Sequence, residues 1–266
     1  MNGAASMTTA LPYLKQFDLS GQVALVTGSA RGLGLCIARA LAGSGARVLI
    51  NGRNAQAVDA TVAGLRADGL DAHPLVFDVS NDAALAQAFE RIDREHGRLD
   101  ILVNNVGARN RKTVADTSAA EIRELIDTDL VAGILLAKLA AERMVRQGSG
   151  RLIAITSVVG ELARAGDAVY PAAKQGLTGL VRALAAEFGG RGITSNAIAP
   201  GTFATETNAA MVADPDFGPR VAARNPTGRW GEPEEIAGAA VFLASKAASY
   251  VNGHVLVVDG GLSIQF

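Results

Sequence analysis

The sequence predicts an α/β fold, a doubly wound parallel sheet with helices on both faces, and three observations carry that prediction. A short apolar run, Gln22 to Val26, is closed by the glycine turn TGSARGLG, Thr27 to Gly34, after which apolar side chains return at helical spacing as far as Leu41. The same succession of short strand and helical text recurs along the chain. Each strand is apolar on both sides of its pleat, as a sheet buried beneath helices requires.

The second strand is RVLI, Arg47 to Ile50, and it ends in Asn51, Gly52, Arg53 and Asn54. HPLVFDV, His73 to Val79, forms the third and precedes the helical AALAQAFERI. LDILVNN, Leu99 to Asn105, forms the fourth and leads to a long helix through Val145. RLIAITS, ITSNAIAP and HVLVV complete the set, each with helical text before or after it. Right-handed crossovers put all strand carboxyl ends on one edge, so Thr27, Asp78, Asn104, Ser157 and Pro200 converge on one crevice, where such sheets bind ligands.

The chain of 266 residues has room for one large core. No repeat or low-complexity linker divides it, so residues 19–266 are expected to form one domain behind a loose tail, 1–18, in which Met7 is an alternative start. A net charge of -1 gives none of the basic excess of duplex-binding proteins. No leader-like segment and no apolar run of membrane-spanning length is present. The one cysteine, Cys36, has no partner for an internal disulfide, which suits a reducing compartment. A cytoplasmic protein with neither nucleic acid nor membrane as partner is expected.

The glycine turn is a candidate dinucleotide site. Gly28, Gly32 and Gly34 permit a tight turn and close backbone approach, and the positive helix start favours a pyrophosphate. An NAD site would offer a carboxylate to the ribose 2′-hydroxyl at the end of the second strand. None is there; Arg53 and Arg31 suit a 2′-phosphate, so NADP(H) is preferred, with NAD(H) as the alternative. Asp78 either accepts from the adenine amino group or caps the following helix, and Asn104-Asn105-Val106-Gly107 either approaches the adenine ribose or makes an Asx turn.

SVVGELARAGDAVYPAAKQGL, Ser157 to Leu177, places a serine at a strand end and Tyr170 and Lys174 one turn apart on one helix face. With TGSARGLG, Asp78, NNVG, NAIAPGTFAT (Asn196 to Thr205) and the terminal VDGG, the chain from about Leu19 to Phe266 resembles the short-chain dehydrogenase/reductase family. The resemblance implies a Rossmann-like single domain of seven parallel strands, a homotetramer, and hydride transfer between a nicotinamide and a small-molecule substrate, with no metal. It makes Ser157, Tyr170, Lys174 and Asp129 the catalytic residues. The expected cofactor contacts are Gly28, Ser29, Arg31, Gly32, Leu33, Gly34, Arg53, Asp78, Val79, Asn105, Gly107, Tyr170, Lys174, Pro200, Gly201, Thr202, Phe203 and Thr205.

The chemistry follows from the side chains. Reducing a ketone places charge on oxygen, so that oxygen must be held and given a proton. Tyr170 is the proposed acid, and the base in alcohol oxidation; a phenol ionises near pH ~10, and a neighbouring ammonium favours the phenolate. Ser157 holds the oxygen and Lys174 also reaches the nicotinamide ribose. The sequence departs from the family at Asp129 in LIDTDLVAG, where asparagine is common, and at Val106, where alanine is usual. The family asparagine acts through its main-chain carbonyl, which an aspartate also supplies.

Arg109, Arg111 and Lys112 after NNVG, and Arg164 between Ser157 and Tyr170, suit an anionic substrate group. NGRN, NNVGARNRK and IDTDL resemble the gluconate 5-dehydrogenase branch, which implies a sugar acid as substrate. The alternative is a 3-oxoacyl-(acyl-carrier-protein) reductase: Arg191 matches one arginine of that group's docking surface, but Gly148 stands where the second would be. A third reading is a non-catalytic dinucleotide-binding regulator. The stretch from Phe203 to Arg229 is expected to be an irregular, mobile lid.

Overall fold

The computed structural model describes residues 13–162 and 165–265. The tail through residue 12 and Arg164 therefore lie outside the described residues. Leu14–Phe17 forms one 3-10 turn, and Leu19, just after it, is fully buried.

Seven parallel strands make one sheet in the order β3-β2-β1-β4-β5-β6-β7. They are Val23–Val26 (β1), Arg47–Gly52 (β2), Ala72–Val76 (β3), Ile101–Asn104 (β4), Gly150–Ile155 (β5), Ile193–Pro200 (β6) and Val255–Val258 (β7). The direction of strand order reverses at β1, so the crevice between the β1 and β4 ends is the topological switch point.

The apolar strands do bury both faces. In β1, Ala24 and Val26 pack under helices Gly32–Gly43 (α1) and Ala55–Ala67 (α2), whereas Val23 and Leu25 pack under Asp82–His96 (α3). A further helix, Ala132–Gln147 (α5), joins α3 on that second face, and Ala237–Ala244 (α9) joins the first. Val169–Phe188 (α6) lies against β6.

Three expectations are corrected. The third strand stops at Val76, so Phe77 to Val79 are loop; Asn51 of β2 takes the carbonyl of its ladder partner Leu75 and that of Phe77, beyond the ladder, with its side-chain amide, each at 3.1 Å. The long helix before Val145 is Ala119–Ile126 (α4) and α5, joined by a π-turn, Asp127–Val131. The expected lid is not irregular: Ala209–Ala213 (α7) and Phe217–Ala222 (α8) occupy it, and Trp230 Nε1 donates to the Gly218 carbonyl to tie α8 down. Among the described residues no helix is long and apolar enough to cross a membrane.

Candidate active site

The glycine turn is held from below by two asparagines. Asn51, 1% exposed, accepts from the Gly28 N–H at 3.1 Å, and its carbonyl accepts from the Ser29 N–H. Asn105 Nδ2 donates to the Thr27 and Gly28 carbonyls at 3.0 and 3.2 Å. Gly34 closes the turn: a Cβ there would meet the Gly28 carbonyl oxygen at 2.4 Å. What remains open is the start of α1. Its N-cap, Arg31, makes no side-chain cap hydrogen bond, and the first turn holds no acidic residue. The first-turn N–H groups are thus free for an anion beside an exposed arginine, and this arrangement fits a dinucleotide phosphate.

Several of the expected contact residues turn their side chains into the fold, which leaves only their backbone groups for a cofactor. Ser29 is fully buried and its hydroxyl donates to the Val26 carbonyl, so it braces the turn from inside. Val79 is buried at 4%, and the Phe203 side chain, also 4% exposed, belongs to the core with Ile198 and Ile236. Leu33 packs partly against the same core.

Arg53 reaches to 3.7 Å from Asp78 with its side chain 80% exposed. Burial pushes the Asp78 carboxyl up, but Ser80, through both N–H and hydroxyl, and Arg53 together outweigh it and hold the group below its ordinary value. Asp78 therefore caps its loop as a carboxylate and keeps Arg53 at the edge of the crevice.

On the other side of the switch point, Lys174 is 3% exposed. Its Nζ donates to the Ile155 carbonyl at 3.2 Å, lies 3.6 Å from Asp129 Oδ2 and stands 5.5 Å from the centre of the Tyr170 ring. Asp129 Oδ1 accepts from the Ala108 N–H at 2.6 Å, while among the described residues Oδ2 has no hydrogen-bond donor. Burial pushes the Asp129 carboxyl up, and Lys174 and Ala108 offset this only in part. Ser157 begins the 3-10 turn Val158–Gly160 and accepts from the Val159 N–H; α6, with Tyr170 in its first turn, packs against that turn. Gly107 gains a different reason from the one expected: its Cβ would lie 2.8 Å from Lys174 Nζ. The glycine makes room for the ammonium.

The basic loop is largely paired. Arg109 donates from Nε to Asp167 Oδ2 at 2.6 Å and from Nη2 to the same oxygen, and its guanidinium lies 4.9 Å from the centre of the Tyr170 ring. Lys112 pairs with Glu121. Arg111 adopts a left-handed backbone, φ 46, and has a partner of its own. Asp167 escaped the sequence reading; its only signal was a carboxylate one turn ahead of Tyr170, on a loop. Pro200 is the buried end of β6, and Gly201 is fixed by Asp259, whose Cβ would be 2.6 Å from an added one. Thr202 Oγ accepts from the buried Asn225 Nδ2 at 2.9 Å, beside a cavity of about 110 Å³; Thr205 precedes the turn Glu206–Asn208 and is partly buried.

A parallel sheet with an open phosphate cradle on one side of its switch point, and a tyrosine, lysine and serine on the other, defines a Rossmann-fold nicotinamide oxidoreductase. A family model described as enoyl-(acyl carrier protein) reductase matches residues 28–263. The gluconate 5-dehydrogenase of Gluconobacter oxydans is 43% identical over 248 residues, 93% of this chain and 97% of that one. The crystal structure of a gluconate 5-dehydrogenase from Burkholderia cenocepacia, in complex with NADP and tartrate, is 39% identical with a TM-score of 0.92, covering 96% of this chain and 100% of that one. The 3-oxoacyl-(acyl-carrier-protein) reductase of Escherichia coli is 38% identical over 245 residues, 92% of this chain and 98% of that one. The chain belongs to the short-chain dehydrogenase/reductase family.

Proposed function

We propose that this protein is an NADP(H)-dependent oxidoreductase that interconverts the secondary alcohol and ketone of a sugar acid, gluconate and 5-ketogluconate being the model pair. The observation that carries the reaction is the buried Lys174 ammonium, held by the Ile155 carbonyl beneath the Tyr170 ring. The substrate class is supported by the gluconate 5-dehydrogenases among its relatives and by the arginine over that ring.

Bound NADP(H) supplies or accepts the hydride. Arg31, Gly32, Leu33 and Gly34 would hold its pyrophosphate at the start of α1, and Arg53 its 2′-phosphate. In ketone reduction Tyr170 Oη gives its proton to the substrate oxygen, Ser157 holds that oxygen, and Lys174 Nζ stands 5.5 Å from the centre of the ring left as phenolate. Asp129 sits behind Lys174 and offsets its charge. A homotetramer and a cytosolic, reducing location complete the reading, the first supported by apolar side chains left exposed on two parts of the surface and the second by the lone Cys36.

The second reading, 3-oxoacyl-(acyl-carrier-protein) reduction, is favoured by the relative at 38% identity. Gly148 weighs against it. It caps α5 at φ 71, a conformation that a side chain adopts only under strain, and its carbonyl oxygen would lie 2.3 Å from a Cβ on Gly192. A panel of 5-ketogluconate and a 3-oxoacyl thioester with NADPH and NADH, followed by nicotinamide absorbance, decides. NADPH oxidation with the sugar acid alone is expected; turnover of the thioester alone would establish the second reading. Tyr170→Phe is expected to lose on the order of 10²- to 10⁴-fold in kcat while still binding NADPH.

A further inference from the structure

We propose that Asp167 is a positioning residue: it aims Arg109 at the substrate carboxylate, so that the pair, rather than Arg109 alone, selects a sugar acid over a neutral polyol. The proposal rests on the sugar-acid reading of the crevice given above. Asp167 lies three residues before Tyr170 and is 3% exposed. Its Oδ2 takes both Nε and Nη2 of Arg109, so one edge of the guanidinium fork is occupied. The guanidinium carbon lies 4.9 Å from the centre of the ring that is to move the proton. Among the described residues no acceptor takes Nη1, and the Arg109 side chain keeps 23% of its surface exposed. The fork therefore keeps a free edge, on a guanidinium that lies over the ring of the reacting phenol.

Three physical consequences follow. An arginine on a loop loses rotamer freedom whenever it takes a ligand, and one already held by a buried carboxylate has lost that freedom on folding. Asp167 also cancels much of the guanidinium's field. Recognition then depends on the geometry of the fork rather than on raw attraction, which favours a planar carboxylate at one distance and angle. Lastly, among the described residues Asp167 Oδ1 is buried without a donor. A pair serving stability alone is expected to satisfy both oxygens; here the carboxylate is arranged around the place of the guanidinium.

The test uses the NADPH-loaded protein, titrated calorimetrically with gluconate and with glucitol, the same skeleton carrying a hydroxymethyl group in place of the carboxylate. NADPH affinity is measured alongside as a check on the fold. Wild type is expected to prefer gluconate, and Arg109→Ala to abolish the preference. Asp167→Ala is expected to cut it about tenfold or more, the size of one charge-assisted hydrogen bond. Asp167→Asn, which keeps the volume, is expected to fall between. In 5-ketogluconate reduction the loss should enter KM far more than kcat. Equal weakening of gluconate and glucitol by Asp167→Ala and Asp167→Asn would reduce Asp167 to a structural role and overturn the proposal. So would a preference that survives both Asp167 variants while Arg109→Ala removes it. No preference in wild type would instead remove the sugar-acid reading, and the proposal with it.

Discussion

Gly107 and Asp129 meet at the Lys174 ammonium, and each makes a prediction about it. Adding a methyl at Gly107 puts carbon 2.8 Å from Lys174 Nζ and 3.2 Å from Asp129 Oδ2, inside a site where the lysine is already fixed by the Ile155 carbonyl. Gly107→Ala is expected to lower kcat on the order of 10²-fold, as displacements of about 1 Å do, with NADPH binding weakened less; unchanged kcat would show that the lysine has slack. Asp129→Asn is expected to keep appreciable activity, because the main-chain carbonyl remains, and complete inactivation of a folded variant would show that the carboxylate itself is needed. The pH dependence has a definite sign. Burial raises the folded Asp129 value above its ordinary 3.8, so the protonated form binds its proton more tightly in the fold. The resulting stability is fully present below the unfolded value and is lost as pH rises through the folded one. Thermal unfolding of wild type relative to Asp129→Asn should therefore worsen with rising pH across that window, and a flat difference would contradict it. Tyr170 and Lys174 were legible because a helix converts spacing into adjacency. The purpose of Gly107 was not, since the lysine that needs the space is 67 positions away in the chain (174 − 107). Likewise Asn51 offers no hint in sequence that its amide spans Gly28, Leu75 and Phe77.

The start of α4 shows how a single element anchors the loop over the crevice. Ser118 accepts from the Glu121 N–H and Glu121 accepts back from the Ser118 N–H, a reciprocal cap, while Lys112 from the basic loop also holds Glu121. The Lys112 bond, with those from Ser118, lowers the Glu121 carboxyl from its ordinary 4.5 to about 2. The stabilising contribution is present above the ordinary value and disappears as the pH falls through the lowered one. Ser118→Ala is expected to cost about 1 kcal/mol in chemical denaturation, and to loosen the 107–118 loop in hydrogen exchange; a variant with unaltered stability and exchange would mean that the loop is held elsewhere. Element order was readable because strands apolar on both faces and helices with one apolar stripe differ in period. The ends were less so. Phe77 continues the apolar run of β3, yet its carbonyl is taken by the Asn51 side chain rather than a strand neighbour. The π-turn at Asp127–Val131 was invisible, since one wider turn barely alters the apolar spacing of α4 and α5, although it is this turn that carries Asp129 into the core.

At the scale of the molecule, the parallel order and the switch point were inherent in the strand and helix succession, since right-handed crossovers leave few alternatives. What a single chain leaves uncovered bears on assembly. The α5 side exposes Val131 and Ile134 at 39% and 42%, whereas the region around β7, the last strand of the sheet, exposes Tyr250 fully, Val257 at 40% and Ile264 at 85%. A tetramer built on three perpendicular dyads uses distinct self-complementary patches, and these two lie on different parts of the surface, one on a covering helix and one at a sheet edge. Each is apolar enough to favour association when buried. If the α5 patch forms one isologous contact and the β7 edge the other, damage to one should leave the other intact. Sedimentation of the wild type is expected to give a tetramer. Ile134→Asp, which places a charge on the first patch, is expected to give a dimer, and adding Tyr250→Asp to the second is expected to give a monomer. A wild-type monomer at micromolar concentration would remove the assembly reading, and a tetramer surviving both substitutions would move its contacts to other surfaces.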